Sequence, residues 1–234
     1  MTPFAVLITC EHASALVPEG IELGLTPAIL ATHVSTDRGA EEIALALAEV
    51  LGAPVHLGAQ SRLVVDLNRR EDNPDVIVET TYGLAVPGNV GLSARDREER
   101  IARFHRPYRE AARADALRLA ERGGCLHLSI HSFDPSLDPV ARAFDAGVLF
   151  DPSRSPEGAI AARLAGELGA RGLSVRLNEP YLGTPEGLTS WLRAQIPEER
   201  YVGIEIEACQ GWMDRPGALV RFAGELAASV RAVV

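Results

Sequence analysis

Cys125-Leu126-His127-Leu128-Ser129-Ile130-His131-Ser132 is the stretch from which the rest of the chain is read. Alternate residues of a strand face opposite ways, so His127, Ser129 and His131 share one face. The strand Cys125–Ile130 runs straight into His131-Ser132. The pattern recurs. Ala5–Thr9 runs into Cys10-Glu11-His12, Leu63–Val65 into Asp66-Leu67-Asn68-Arg69, and Val202–Ile206 into Glu207. In an open α/β sheet the ligand site lies beyond the carboxyl ends of the strands. Two His, an acid and an Asn-Arg pair are therefore expected on one rim, the set a metal-assisted hydrolase of a carboxylate-bearing substrate needs.

Outward from these runs, strand-like and helical patterns alternate. Strands are expected at Phe4–Thr9, Pro54–Ala59, Arg62–Leu67, Cys125–Ile130, Ala146–Phe150, Leu173–Leu177 and Tyr201–Ile206. Helices are expected at Gly39–Leu51, Ser93–Arg122, Pro156–Leu168, Pro185–Ala194 and Pro216–Val233, with Pro107 interrupting the second. In the first, Ile43, Leu47, Val50 and Leu51 fall on one face. Asn73–Gly91 reads as a long loop with a short strand at Val76–Val78. This order implies an α/β fold: a mainly parallel mixed sheet covered by helices on both faces, in one domain over residues 1–234.

Composition narrows the function. A hydrophobic share of 47% supports a sizeable core. A net charge of −9 without a basic run argues against nucleic acid or an anionic membrane as partner. Every basic residue is Arg, which excludes a Lys nucleophile, a Schiff-base Lys and a P-loop Lys. Cys10, Cys125 and Cys209 are odd in number and far apart, so they read as buried thiols. MTPFAVLITC reads as a first strand and not a signal peptide, and no apolar run is long enough to span a bilayer. A soluble cytoplasmic protein, monomer or homodimer, is expected.

Each candidate has a plainer alternative. His12 and His131 end strands where a loop exposes them, while His127 sits deeper and reads as a hydrogen-bonded core histidine. A catalytic zinc takes about three protein ligands and leaves one position open. Asp37 is the candidate carboxylate ligand and Glu11 its reserve; the alternative for Asp37 is an ordinary helix N-cap. Glu205 and Glu207 share a strand face. Glu207, nearer the rim, is the candidate base, and Glu205 the candidate support for an Arg or a ligand His. Asn68 and Arg69 offer an amide and a guanidinium fork for a carboxylate. Arg62 opens the same run, lies at its far end, and is a secondary candidate.

Several stretches together resemble one family. His12, His33-Val34-Ser35-Thr36-Asp37-Arg38-Gly39-Ala40, and Ser61-Arg62-Leu63-Val64-Val65-Asp66-Leu67-Asn68-Arg69 are similar to the N-formylglutamate amidohydrolases. So are Phe104-His105-Arg106-Pro107-Tyr108, His131-Ser132-Phe133, Asn178-Glu179-Pro180-Tyr181-Leu182-Gly183 and Glu207-Ala208-Cys209-Gln210. That family is similar in fold to zinc carboxypeptidases and aspartoacylases. The resemblance implies a three-layer, zinc-exopeptidase-like sandwich and one zinc ion held by His12, Asp37 and His131. It implies Glu207 as catalytic base, with Asn68, Arg69, Arg62 and Tyr181 holding a small carboxylate substrate, N-formyl-L-glutamate being favoured. The carboxypeptidase His-x-x-Glu pair is missing, and the family's Glu-Ile-Arg-Gln string reads Glu207-Ala208-Cys209-Gln210. Rival readings are a deacylase or carboxypeptidase-like enzyme for another N-acyl amino acid or small peptide, and a metal-free module that binds a carboxylate.

Overall fold

The longest apolar runs become the central strands of a sheet, buried over most of their length. In chain order the strands are β1 (Ala5–Cys10), β2 (Val55–Leu57), the hairpin pair β3 (Thr80–Thr81) and β4 (Leu84–Ala85), β5 (Cys125–Phe133), β6 (Ala146–Leu149), β7 (Val175–Leu177) and β8 (Tyr201–Cys209). The structure, a computed structural model, describes residues 4–138 and 140–234. Met1–Pro3, the start of the stretch read as leading into the first strand, lie outside the described residues. Six strands form one sheet in the order β2-β1-β5-β8-β6-β7. All neighbours run parallel except β6 and β8, so the sheet is mainly parallel and mixed, as expected.

The helices are α1 (Pro27–Leu30), α2 (Ala40–Leu51), α3 (Ala94–Arg100), α4 (Arg106–Arg122), α5 (Ser155–Ala170), α6 (Leu188–Arg193) and α7 (Ala218–Val233). Helix α2 buries Ile43, Ala44, Leu47 and Ala48 at helical spacing, has Glu41 and Glu42 in its first turn, and ends on left-handed Gly52. Val50, expected on the same face, is exposed. Ser93 caps α3 by accepting from the Asp96 amide. The interruption expected at Pro107 takes the form of a π-helical turn, Ile101–His105, just before it. Pro107 has no N–H to donate, and the wider turn accommodates that loss.

Helices α2, α5 and α7 pack with Ile8, Cys10, Leu126, Leu128, Ile130, Val202, Ile204 and Ile206 on one side of the sheet. Helices α4 and α6 pack with Leu7, Cys125 and Tyr201 on the other. The result is the expected α/β three-layer arrangement. The three cysteines are buried and free, as read. Among the described residues, no helix is long and apolar enough to cross a membrane.

Three local expectations fail. Residues 62–67 form no strand. Leu63, Val64, Val65 and Leu67 are buried, but in a separate cluster with Val76, Ile77 and Val86. Their backbone turns on itself (Val64 N to Ser61 O, 2.9 Å) and pairs with side chains; Asn89 Nδ2 donates to Leu63 O at 2.8 Å. An apolar run can fill a small core without joining a sheet, and the pattern alone does not separate the two. The strand expected at Val76–Val78 is instead a 3-10 turn, Pro74–Val76, followed by the β3–β4 hairpin. Helix α6 is shorter than the expected Pro185–Ala194.

Candidate active site

The parallel register of the three central strands sets the site. His131 on β5 lies beside Glu207 on β8, and Ser129 beside Glu205. On the other side Ser129 lies beside Thr9 of β1, two residues before Glu11. His12 leaves the end of β1. The segment that follows α1 brings in Asp37, anchored where its amide donates to His12 O (3.0 Å). Asp37 is no N-cap, since Gly39 holds that position. Its Oδ2 lies 2.8 Å from His131 Nδ1 and 3.3 Å from His12 Nδ1.

These three residues fit a metal ion. One ligand atom from each lies within 4.8 Å of the others. Donors sharing one tetrahedral zinc at about 2.0–2.1 Å are roughly 3.3 Å apart, the scale of the observed contacts. The far nitrogens are fixed as well. His12 Nε2 donates to Asp66 Oδ1 at 2.7 Å, and His131 Nε2 donates to Ser129 Oγ at 2.9 Å and lies 3.0 Å from Glu11 Oε2. Each bond places the proton on Nε2 and turns the Nδ1 lone pair inward, as ligand histidines require. Ser129 Oγ also donates to Glu11 at 2.6 Å. Charge points the same way: burial disfavours ionisation, yet the neighbouring imidazoles hold Asp37 well below the usual carboxylate range. Burial opposes charge on His131 too, and Asp37 and Glu11 nonetheless push it well up. Three buried carboxylates thus converge on two imidazoles, and Arg62 at the edge of the cluster offsets only part of their charge.

Glu11, the reserve ligand, is corrected by this geometry. It is fully buried behind His131 and orients that ring, so it does not face the centre. Asp66 plays the same part for His12, and sequence reasoning gave it no role of its own. The available signal was an acid directly beside the Asn-Arg pair.

Glu207 is buried, and its Oε2 has no partner. Burial is the main reason its carboxyl is pushed up to about 8. Gly147 is its partner on β6, and a Cβ there would meet Glu179 O at 2.1 Å and Glu207 Cβ at 3.3 Å. Only glycine leaves Glu207 that room. Glu205 holds neither an Arg nor a ligand His, as had been expected; its Oε1 accepts from Thr189 Oγ1 at 2.6 Å.

The Asp66–Arg69 segment reaches the rim as a loop. Asn68 Oδ1 accepts from the Leu188 amide at 2.7 Å, and its Nδ2 is 3.4 Å from His131 Nε2. Arg69 Nε is buried without a hydrogen-bond partner among the described residues, and the guanidinium lies 3.6 Å from both Asp66 Oδ2 and Glu186 Oε1. The Arg69 carbonyl accepts from both His105 Nε2 and Arg109 Nη1 at 2.8 Å, two buried donors that sequence reasoning did not single out. Arg62, placed at the far end of a strand by the sequence, instead reaches the cleft. Its Nη2 donates to Asp66 Oδ2 at 2.9 Å, and Nη1 lies 3.7 Å from Asp37, so its charge is already matched. His12, Asp37, Asn68, Arg69, His131, Tyr181 and Glu207 all line one cleft of about 400 Å³. His127 stays out of it, bonded to Thr9 Oγ1 (2.8 Å) and Tyr201 OH (2.6 Å), the core histidine expected.

Known proteins bear on this geometry. The gene product Atu2144 of Agrobacterium tumefaciens has a similar structure, with a TM-score of 0.85 and 27% identity, over 99% of this chain and 91% of that one. An N-formylglutamate amidohydrolase from Ralstonia eutropha JMP134 shares the fold, with a TM-score of 0.74 and 20% identity, over 100% of this chain and 94% of that one. No curated protein matches the sequence. The family model for N-formylglutamate amidohydrolase matches residues 4–212, nearly the whole of the chain, and the protein belongs to that family.

Proposed function

We propose that this amidohydrolase is metal-dependent and removes a formyl or other short acyl group from an N-acyl amino acid. N-formyl-L-glutamate is the favoured substrate, giving formate and L-glutamate, and zinc the favoured ion. The observation that carries this reading is the convergence of His12 Nδ1, His131 Nδ1 and the Asp37 carboxylate. An ion bound there supplies a Lewis acid for the acyl carbonyl and makes water more acidic. Glu207 is the proton carrier. Its unpartnered Oε2 beside His131 is free to take the proton of the attacking water and return it to the leaving nitrogen. Burial makes it a strong base for a carboxylate, while a nearby cation keeps it ionised. Asn68 Nδ2 and the Arg69 guanidinium bind the substrate carboxylate and hold the scissile amide against the ion.

The test is metal content together with turnover of a panel of N-formyl and N-acetyl amino acids, with and without chelator. One equivalent of metal is expected, with formate or acetate released only by the loaded protein. A metal-free, folded protein that binds these compounds unchanged would replace this reading with that of a binding module.

A further inference from the structure

Glutamate carries two carboxylates, and the clamp at Asn68 and Arg69 holds one. The other needs its own cation, because the cleft is lined by Asp37, Asp66, Asp134, Glu186, Glu205 and Glu207. A second carboxylate among so many acids is repelled unless a positive group meets it. Arg62 cannot serve, since Asp66 and Asp37 already hold it. Arg142 stands beside two rings of the cleft wall. Its guanidinium lies over the Tyr181 ring at 5.1 Å and near the Phe133 ring at 6.0 Å, and both rings line the cleft. Nη1 donates to Asp134 O at 3.1 Å. Among the described residues no carboxylate lies within ion-pair distance of Arg142. Two aromatic faces and a carbonyl therefore fix a half-buried guanidinium whose charge no carboxylate among the described residues matches.

The histidine beside it offers no second donor, because the carboxylate that faces its Nδ1 takes the N–H there and leaves a lone pair on Nε2 of the neutral ring. His33 lines the same cleft, and its Nε2 is buried without a partner. Its Nδ1 is held by Asp134 Oδ2 at 3.2 Å. The other oxygen of Asp134 accepts from the Ser136 amide at 2.8 Å, so that carboxylate is satisfied within the protein. Asp134 thus organises both groups, one through its side chain and one through its backbone.

From this arrangement we propose that Arg142 seats the second carboxylate of the substrate and makes the enzyme selective for N-acyl derivatives of acidic amino acids. The proposal rests on the reading of the cleft given above. Arg142 is a specificity-determining residue that touches the substrate away from the scissile bond, so its loss acts on KM and not on kcat.

The experiment compares N-formyl-L-glutamate with N-formyl-L-glutamine, its neutral isostere, on the zinc-loaded wild type, Arg142→Gln and Arg142→Lys. Arg142→Gln is expected to raise KM for the glutamate derivative by about tenfold to a hundredfold, the worth of a charge-assisted hydrogen bond, with kcat nearly unchanged. The glutamine derivative should not respond. Arg142→Lys should recover part of the loss. Equal losses for both substrates, or none, would overturn the proposal. Calorimetric binding of the same two compounds separates it from the catalytic reading. A wild type that turns neither over yet binds the glutamate derivative more tightly, with the difference abolished in Arg142→Gln, sinks the catalytic reading and keeps the seat. Equal binding of the two compounds sinks the seat.

Discussion

On one face of strands β1, β5 and β8 stand Ile8, Cys10, Leu126, Leu128, Ile130, Val202, Ile204 and Ile206; on the other stand Thr9, Glu11, His127, Ser129, His131, Glu205 and Glu207. The same backbones carry both sets, and nearly all of these side chains are buried. The apolar face is closed by three helices and gains stability from every methyl it hides. The polar face has to offset desolvation with hydrogen bonds. Deep in the sheet it does so: His127 is bonded on both ring nitrogens. Towards the strand ends it does not, and Glu207 Oε2 has no partner. A buried polar face completed at one end and open at the other locates the chemistry at the open end.

The comparison predicts different failures for the two faces. Glu207→Gln keeps the shape and removes the base. Turnover should fall by roughly two to four orders of magnitude, with metal content and thermal midpoint near those of the wild type. A loss of metal or of folding on the same scale would move Glu207 from proton transfer to scaffolding. Leu128→Ala, one residue from Ser129 and facing the other way, should cost about 2–5 kcal/mol of stability in denaturant unfolding. The folded fraction should keep its kcat. A variant that stays stable and loses turnover would show that the two faces are not separable.

Titration sharpens the contrast. Burial lowers His127 from its ordinary value of 6.5 to about 4, so the folded protein refuses a proton that the unfolded chain accepts. Stability from this residue is full above pH 6.5, falls as the pH drops from 6.5 towards 4, and then levels off. A gap of about 2.5 pH units is worth at most about 3 kcal/mol. Denaturant midpoints of His127→Gln over this range should therefore be flatter than those of the wild type. Leu128→Ala, on a face without groups that titrate between pH 4 and 6.5, should instead run parallel to the wild type over this range. Parallel curves for His127→Gln would mean that the imidazole takes up its proton as readily in the fold as in the unfolded chain.

The sheet was legible because period two and an apolar run agree in β1, β5 and β8. The rim followed from it, since His12, His131 and Glu207 end strands whose register is fixed. Asp37 was reached through the family resemblance, as nothing in its local pattern sets it apart from a helix cap. The segment Arg62–Leu67 was misread for a physical reason: Leu63, Val64, Val65 and Leu67 fill a small core of their own, and period and β-branching are blind to whether a neighbouring strand exists. With the strand went the position of Arg62, which a loop returns to the cleft. His105 and Arg109 were missed because their contribution is to hold carbonyls of a loop, and no spacing announces that.

The last contrast lies within the site, between a histidine held from a strand and one held from that loop. Glu11, on the polar face of β1, holds His131 Nε2 at 3.0 Å; Asp66, in the loop, holds His12 Nε2 at 2.7 Å. Removing either charge while keeping the shape should weaken metal binding by about 10–100-fold, the usual cost of losing a carboxylate behind a ligand histidine. The two should differ in what else they move. Glu11 is fully buried among strands and accepts from Ser129 as well, so Glu11→Gln must rearrange a packed network and should lower stability together with metal affinity. Asp66 also holds Arg62 Nη2 at 2.9 Å, and Arg69 Nε lies 3.6 Å away. Asp66→Asn therefore leaves two arginines under-neutralised at the cleft and should tighten binding of an anionic ligand even as the metal loosens. Competition against a zinc chelator, with glutarate as the anionic probe, reads both effects. Weaker metal with unchanged or weaker glutarate binding would show that Asp66 positions the arginines and does not merely neutralise them.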